Sequence, residues 1–147
     1  MQKINNKNIF IDANIFIDLN DKRRVTSEEC LYILNFLVQN GYSIMTSCDL
    51  ITTIYYILSK INKQKALDDI EQINKICKII EFSNSEVTST CTLMKEDENY
   101  KDFEDTIQYV LAKKANCNII LSNDKKFYSK DITLFSSSEF IQNIIKK

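Results

Sequence analysis

Residues 102–127 read DFEDTIQYVLAKKANCNIILSNDKKF, and the change of period part-way along this stretch decides the fold. From Asp102 to Ala115 the apolar residues Phe103, Ile107, Val110 and Leu111 recur at helical spacing, the inward stripe of an amphipathic helix. From Cys117 to Ser122 the run CNIILS reads as a short buried strand. An acid, Asp124, follows within the turn SND. A helix feeding a buried strand is one half of a parallel crossover unit.

Working outward, the same alternation recurs. Residues 8–11, Asn-Ile-Phe-Ile, form an apolar run without alternation, as expected for a central strand covered on both faces. Residues 26–40 place Cys30, Ile33, Leu34, Leu37 and Val38 on one helical face, with Thr26 or Ser27 as cap and Gly41 just past the end. Residues 42–47 read as a strand, and from about Asp49 a helix places Leu50, Ile54, Ile57, Leu58 and Ile61 on one face. A helix over 64–79, a strand over 78–83 and a helix over 85–95, the last despite many β-branched residues, continue the pattern. Residues 131–137 and 137–147 supply a last strand and helix. The expectation is a three-layer α/β/α sandwich around a mostly parallel sheet of about five strands, with right-handed crossovers. No linker or repeat interrupts residues 1–147, which read as a single domain.

Composition narrows the function. A formal charge of -1 excludes a strongly basic protein, and the lack of histidine excludes Ser-His-Asp and Cys-His catalysis. Cys30, Cys48, Cys77, Cys91 and Cys117 are odd in number and never spaced as CxxC, which suits reduced thiols in apolar surroundings and no structural zinc. The start MQKINNKNIF carries no apolar leader, and no run is long enough to span a bilayer, so a cytoplasmic protein without membrane attachment is expected.

Carboxylates are therefore the chemistry to follow. Asp12 ends the first strand inside the apolar run IFIDANIFID, and Asp124 follows the strand CNIIL. Asp105 lies in the first turns of the helix feeding that strand, so all three reach the edge of the sheet where ligands bind in open α/β folds. Each residue also has a purely structural role open to it: Asp12 as a helix cap, Asp105 at a helix N-terminus, Asp124 in a turn. Gathered together they repel, and a hard divalent ion, Mg2+ or Mn2+, relieves that repulsion. Such an ion can activate water against a phosphodiester.

On these residues the sequence resembles the PIN-domain family of metal-dependent ribonucleases, in particular its VapC-like toxins. Asp12-Ala13-Asn14 matches the family's Asp-Thr-Asn-like opening. The block from Asp102 to Phe127 matches its later helix and strand, with Ser122 at the usual Thr and Asp124 as final acid. The resemblance implies an endoribonuclease whose Asp12, Asp105 and Asp124 hold the metal while Asn14 and Ser122 orient them. It also implies RNA as substrate, a small antitoxin protein as partner, and a homodimer. Thr53 stands where the family carries a second acid; Asp49, one helical turn earlier, is the candidate replacement, and Asp102 is a candidate auxiliary carboxylate. Lys22, Arg23 and Arg24, and Lys125 with Lys126, form two basic clusters suited to RNA phosphates or to plain solvation. Two other readings stay open: a PIN-like module that binds RNA or protein without cutting, because of Thr53, and a flavodoxin- or receiver-like regulator.

Overall fold

The first strand, β1 (Asn8–Ile11), is the centre of the molecule: Ile9, Phe10 and Ile11 are almost fully excluded from solvent. The computed structural model describes residues 6–147; residues 1–5 lie outside the described residues, and with them the start of the expected 1–147 unit and half of the segment read as lacking a leader. On one side β1 pairs in parallel with β2 (Ser43–Ser47), with Ile9 beside Ile44 and Phe10 beside Met45. On the other it pairs in parallel with β4 (Ile119–Leu121), with Phe10 beside Ile120 and Ile11 beside Leu121. The edge strands β3 (Cys77–Ile80) and β5 (Thr133–Phe135) complete a five-stranded, wholly parallel sheet in the order β3-β2-β1-β4-β5.

Parallel neighbours need crossovers, and here helices supply nearly all of them. The connection from β1 to β2 holds α1 (Ala13–Asn20) and α2 (Ser27–Gln39), and that from β2 to β3 holds α3 (Cys48–Ser59) and α4 (Lys63–Ile76). The return from β3 to β4 holds α5 (Asn84–Glu96) and α6 (Phe103–Lys114), and α7 (Ser137–Phe140) runs into a wider π turn, Ile141–Ile145. Right-handed crossovers in opposite directions along the sheet put α1 to α4 on one face and α5 with α6 on the other. The packing agrees: α1 touches α2 and α3, α3 touches α4, α7 touches α2, and α5 pairs with α6.

The apolar run after Asp12 continues as a helix rather than a strand. Asp12 has extended backbone and its side chain accepts the Ala13 N–H, so it ends β1 and caps α1 in one residue. The helix α5 forms despite its β-branched residues because Glu86 reaches back to the Ser83 N–H (2.9 Å). Two helices end on left-handed residues, Gly41 (φ 71°) after α2 and Asn116 (φ 57°) after α6. In each case the next N–H reaches back into the last turn, from Tyr42 to Leu37 O (3.0 Å) and from Cys117 to Ala112 O (2.9 Å). The expected strands over 78–83 and 117–122 are shorter than read, because the side chains beyond Ile80 and Leu121 already belong to loops. All five cysteines are free; Cys30 and Cys117 are core thiols, whereas Cys91 is exposed on α5. Among the described residues no helix is long and apolar enough to cross a membrane.

Candidate metal centre

Strand order reverses at β1: the chain builds outward through β2 and β3, then returns to β4 on the other side. The crevice beyond the ends of β1 and β4 is thus the topological switch point, where open α/β sheets bind ligands. Two bonds fix this edge. The Asp12 N–H extends the ladder to Leu121 O (3.0 Å), and the fully buried Thr46 hydroxyl donates to Ile11 O (2.9 Å).

Asp12 is buried there, and its charge is held by a network. Its Oδ1 accepts the Ala13 N–H (2.8 Å), and its Oδ2 accepts the Ser122 hydroxyl (2.7 Å) and Asn14 Nδ2 (3.1 Å). Ser122 Oγ in turn accepts the Asp124 N–H (3.1 Å), and Asn14 Oδ1 accepts the Asn123 N–H (2.9 Å). Two residues read as orienting groups therefore join β1 to the turn carrying Asp124. Burial raises the Asp12 carboxyl above the usual carboxylate range, opposed by these hydrogen bonds and reinforced by the charge of Asp124.

The third acid comes from α6. Asp102 caps this helix by accepting the Asp105 N–H (2.9 Å), and the half-buried Asp105 stands in its first turn. Burial first, then Asp12, Asp102, Asp124 and Glu104, push Asp105 up to about 7. Glu104, one residue earlier, is raised too, by burial and then by Asp49, Asp102 and Asp12. It belongs to the same field although the sequence reading passed over it. Its position beside Asp105 in a helix N-terminus was the available signal.

Asp49 sits in the first turn of α3, where the Ser47 hydroxyl donates to it instead of capping the helix. From across the sheet edge, Gln108 Nε2 donates to both Asp49 oxygens (3.2 and 3.0 Å). Gln108 is fully buried and lies one turn beyond Asp105 on α6, so the same helix that offers one acid holds another. Its Oε1 has no hydrogen-bond partner among the described residues. Thr53 brings no charge; its hydroxyl only approaches Asp49 O (3.4 Å).

The two basic clusters diverge. Arg23 forks onto Asp21 (2.9 and 3.1 Å), and Arg24 reaches Asp18 (3.2 Å) and Asp21 (3.4 Å). The hydrogen bond from Arg23 is the main reason Asp21 falls to about 2. The structure thus pairs these arginines with Asp18 in the last turns of α1 and Asp21 just after it. Lys125 and Lys126 instead line a cleft of about 680 Å3 together with Lys101 and Asp105. Lys101 was not singled out from sequence, because a lone lysine carries no signal.

The donor set is all hard oxygen, which fits a divalent cation of the magnesium type. Burial raises both Asp12 and Asp105, and neighbouring carboxylates add to the rise at each. Among the described residues no three acidic or thiol side chains stand close enough to enclose an ion as they are.

A wholly parallel five-stranded sheet with carboxylates beyond the strand ends at its switch point defines an open α/β protein with an acidic ligand-binding edge. The chain belongs to the PIN domain family, whose model matches residues 8–126. Ribonuclease VapC1 of Aquifex aeolicus is 48% identical over 139 residues, covering 95% of this chain and 96% of that protein. Among solved structures, VapBC2 of Rickettsia felis, bound to a DNA fragment from its promoter, superposes with a TM-score of 0.68 at 18% identity, over 88% of this chain and 98% of that one. VapC20 of Mycobacterium tuberculosis, a toxin that cleaves the sarcin-ricin loop, gives 0.62 at 13% identity, over 76% and 86%. At such identities the solved structures share the fold.

Proposed function

We propose that this chain is a metal-dependent endoribonuclease acting as the toxin of a toxin–antitoxin pair. The observation that carries the proposal is the convergence of Asp12, Asp105 and Asp124 at the switch point of a chain 48% identical to Ribonuclease VapC1. These three residues would hold Mg2+ or Mn2+, which supplies an activated water and neutralises charge developing on the phosphodiester. Asn14 and Ser122 lock the direction of the Asp12 carboxylate, and the Asp102 cap sets Asp105. Asp49, held by Gln108 and Ser47, takes the place of the acid that Thr53 does not supply. Lys125 and Lys126 hold RNA phosphates, while Arg23 and Arg24 brace the α1–α2 connection. The same reading makes residues 1–147 one PIN unit, cytoplasmic, able to pair with a second copy, and covered by a small antitoxin.

The test is cleavage of a mixed RNA pool by wild type and Asp12→Asn in Mn2+, Mg2+ or chelator. Cleavage that needs metal and disappears in the variant is expected. Metal-independent cleavage, or a variant as active as wild type, refutes the proposal. Metal-dependent RNA binding without cleavage by wild type selects the non-cutting reading that Thr53 raises.

A further inference from the structure

The turn 122–124 that carries Asp124 is held from two sides, and only one of them belongs to the acid centre. Toward the centre, the Asn123 N–H goes to Asn14 Oδ1 (2.9 Å) and the Asp124 N–H to Ser122 Oγ (3.1 Å). The Ser122 N–H continues the sheet to Phe135 O (3.0 Å). The Asn123 side chain turns instead to α7, where its Oδ1 accepts the Ser137 N–H (2.8 Å) and stands 3.1 Å from the Ser137 hydroxyl. That hydroxyl, on a buried residue, donates to Glu29 in the first turn of α2. It has one proton to give, and the carboxylate is the stronger acceptor, so Asn123 Oδ1 rests on the backbone N–H.

The outer support is fixed in its turn. Ser136 and Glu139 close a capping box at the start of α7 (3.0 and 3.1 Å). The fully buried Phe140 meets Phe36 of α2 and Phe135 of β5 edge-on (centroids 6.1 and 6.3 Å apart). A helix of four residues has little stability of its own, so these contacts hold it in place. Asn123, by contrast, is a costly residue to keep: its Nδ2 is buried without a hydrogen-bond partner among the described residues. An aspartate would accept the Ser137 N–H equally well and leave no orphan donor. Its charge, however, would adjoin Asp124 in the chain and face Glu29 across Ser137, and like charges repel. A neutral acceptor holds the turn without adding to the negative field.

Resting on the ribonuclease reading above, we propose that Asn123 and Ser137 are positioning residues of the metal centre, holding the turn 122–124 from the side of α7. The Ser137 N–H fixes the Asn123 side chain, the Asn123 N–H fixes Asn14, and Asn14 Nδ2 donates to Asp12 Oδ2 (3.1 Å). Glu29 takes up the Ser137 hydroxyl and ties the same run of hydrogen bonds to α2. Neither positioning residue serves as a ligand; both act through Asp124 and Asp12.

Two substitutions separate the donors of Ser137. Ser137→Pro removes the N–H at the first position of a helix, where proline is tolerated, and the extended backbone of Ser136 (ψ 169°) suits a following proline. Ser137→Ala removes only the hydroxyl. Amide hydrogen exchange is followed by NMR on the full-length chain in chelator. Ser137→Pro should speed exchange of the Asn123 and Asp124 amides about tenfold or more and leave that of Ile120, in the core of the sheet, unchanged; Ser137→Ala should leave all three near wild type. Mn2+ affinity measured by calorimetry should fall about tenfold in Ser137→Pro and in Asn123→Ala, as for groups that orient metal ligands, with no further fall in the double variant. Asn123→Asp keeps the acceptor and should bind Mn2+ as tightly as wild type, although its added charge lowers Tm in chelator. In Mn2+, Asn123→Ala should lower kcat for RNA cleavage with KM little altered. Unchanged exchange at Asn123 and Asp124 in Ser137→Pro, a uniform rise that includes Ile120, additive losses in the double variant, or Asn123→Asp binding Mn2+ as weakly as Asn123→Ala overturns the proposal. Where Ser137→Pro fails to fold, the contrast between Asn123→Ala and Asn123→Asp decides alone. Failure of the ribonuclease reading shows separately, as undiminished cleavage by Asp12→Asn.

Discussion

Replacing Asp105 by asparagine tests the electrostatic state of the centre without reference to turnover. The carboxyl rises from 3.8 to about 7 on folding, through burial and the charges of Asp12, Asp102, Asp124 and Glu104. Between those values the folded chain holds a proton that the unfolded chain has released. Stability therefore falls as pH rises from about 4 to about 7 and levels off above. At ~1.4 kcal/mol for each tenfold change in acidity, the full effect would be ~4 kcal/mol. Asp105 is only half-buried, so solvent screening reduces this to ~1–2 kcal/mol, or ~3–6 °C in Tm for a domain of this length. The Asp102 side chain, not Asp105, caps α6, so the substitution leaves the cap in place. In thermal melts in chelator, Asp105→Asn should exceed wild type by that margin near pH 8 and match it near pH 4. Adding Mn2+ near pH 8 should raise wild type more than the variant, because only wild type gains a full ligand set. A variant that melts at or below wild type near pH 8, with the same pH slope, refutes the assignment of Asp105 to a repelling cluster.

Three further outcomes follow from the geometry. Ser122→Ala removes the hydroxyl that links Asp12 Oδ2 to the Asp124 N–H; Mn2+ affinity measured by calorimetry should fall roughly 10–100-fold, as for other groups that orient metal ligands. Asp49→Asn should weaken Mn2+ binding, and adding Thr53→Glu should restore it by returning an acid one turn along the same face; no restoration means that Asp49 does not serve the ion. Gly41→Ala meets no atom within 4 Å, so its cost comes only from the positive φ of 71° and should be about 1 kcal/mol in urea unfolding.

The parallel sheet was legible because its strands are short apolar runs between helical stripes, and periodicity reports that directly. What escaped was α1. Ile15, Phe16 and Ile17 are consecutive and all buried, and a short apolar run of this kind reads equally as strand. The structure resolves the ambiguity through Asp12, whose extended backbone and side-chain bond to the Ala13 N–H start a helix at once. Asp12 is thus both the cap that its type favours and the buried acid of the candidate centre.

The site was legible to the same depth: strand ends can be read from a sequence, and hydrogen-bond partners across the sheet cannot. Asp12, Asp105 and Asp124 could be placed on one edge by counting. Gln108 could not, because a glutamine inside an amphipathic helix has no meaning until the residue facing it is known. Its two bonds to Asp49 change the significance of Thr53. An acid at position 53 would project one turn further along α3, whereas an acid at 49 stands at the start of that helix, nearer the end of β2. There the amide of a buried residue on α6 aims it, and Glu104, on the same turn as Asp105, feels its charge. An acid displaced by one turn and held by a neighbouring helix keeps a negative charge at this edge of the pocket, where Thr53 supplies none.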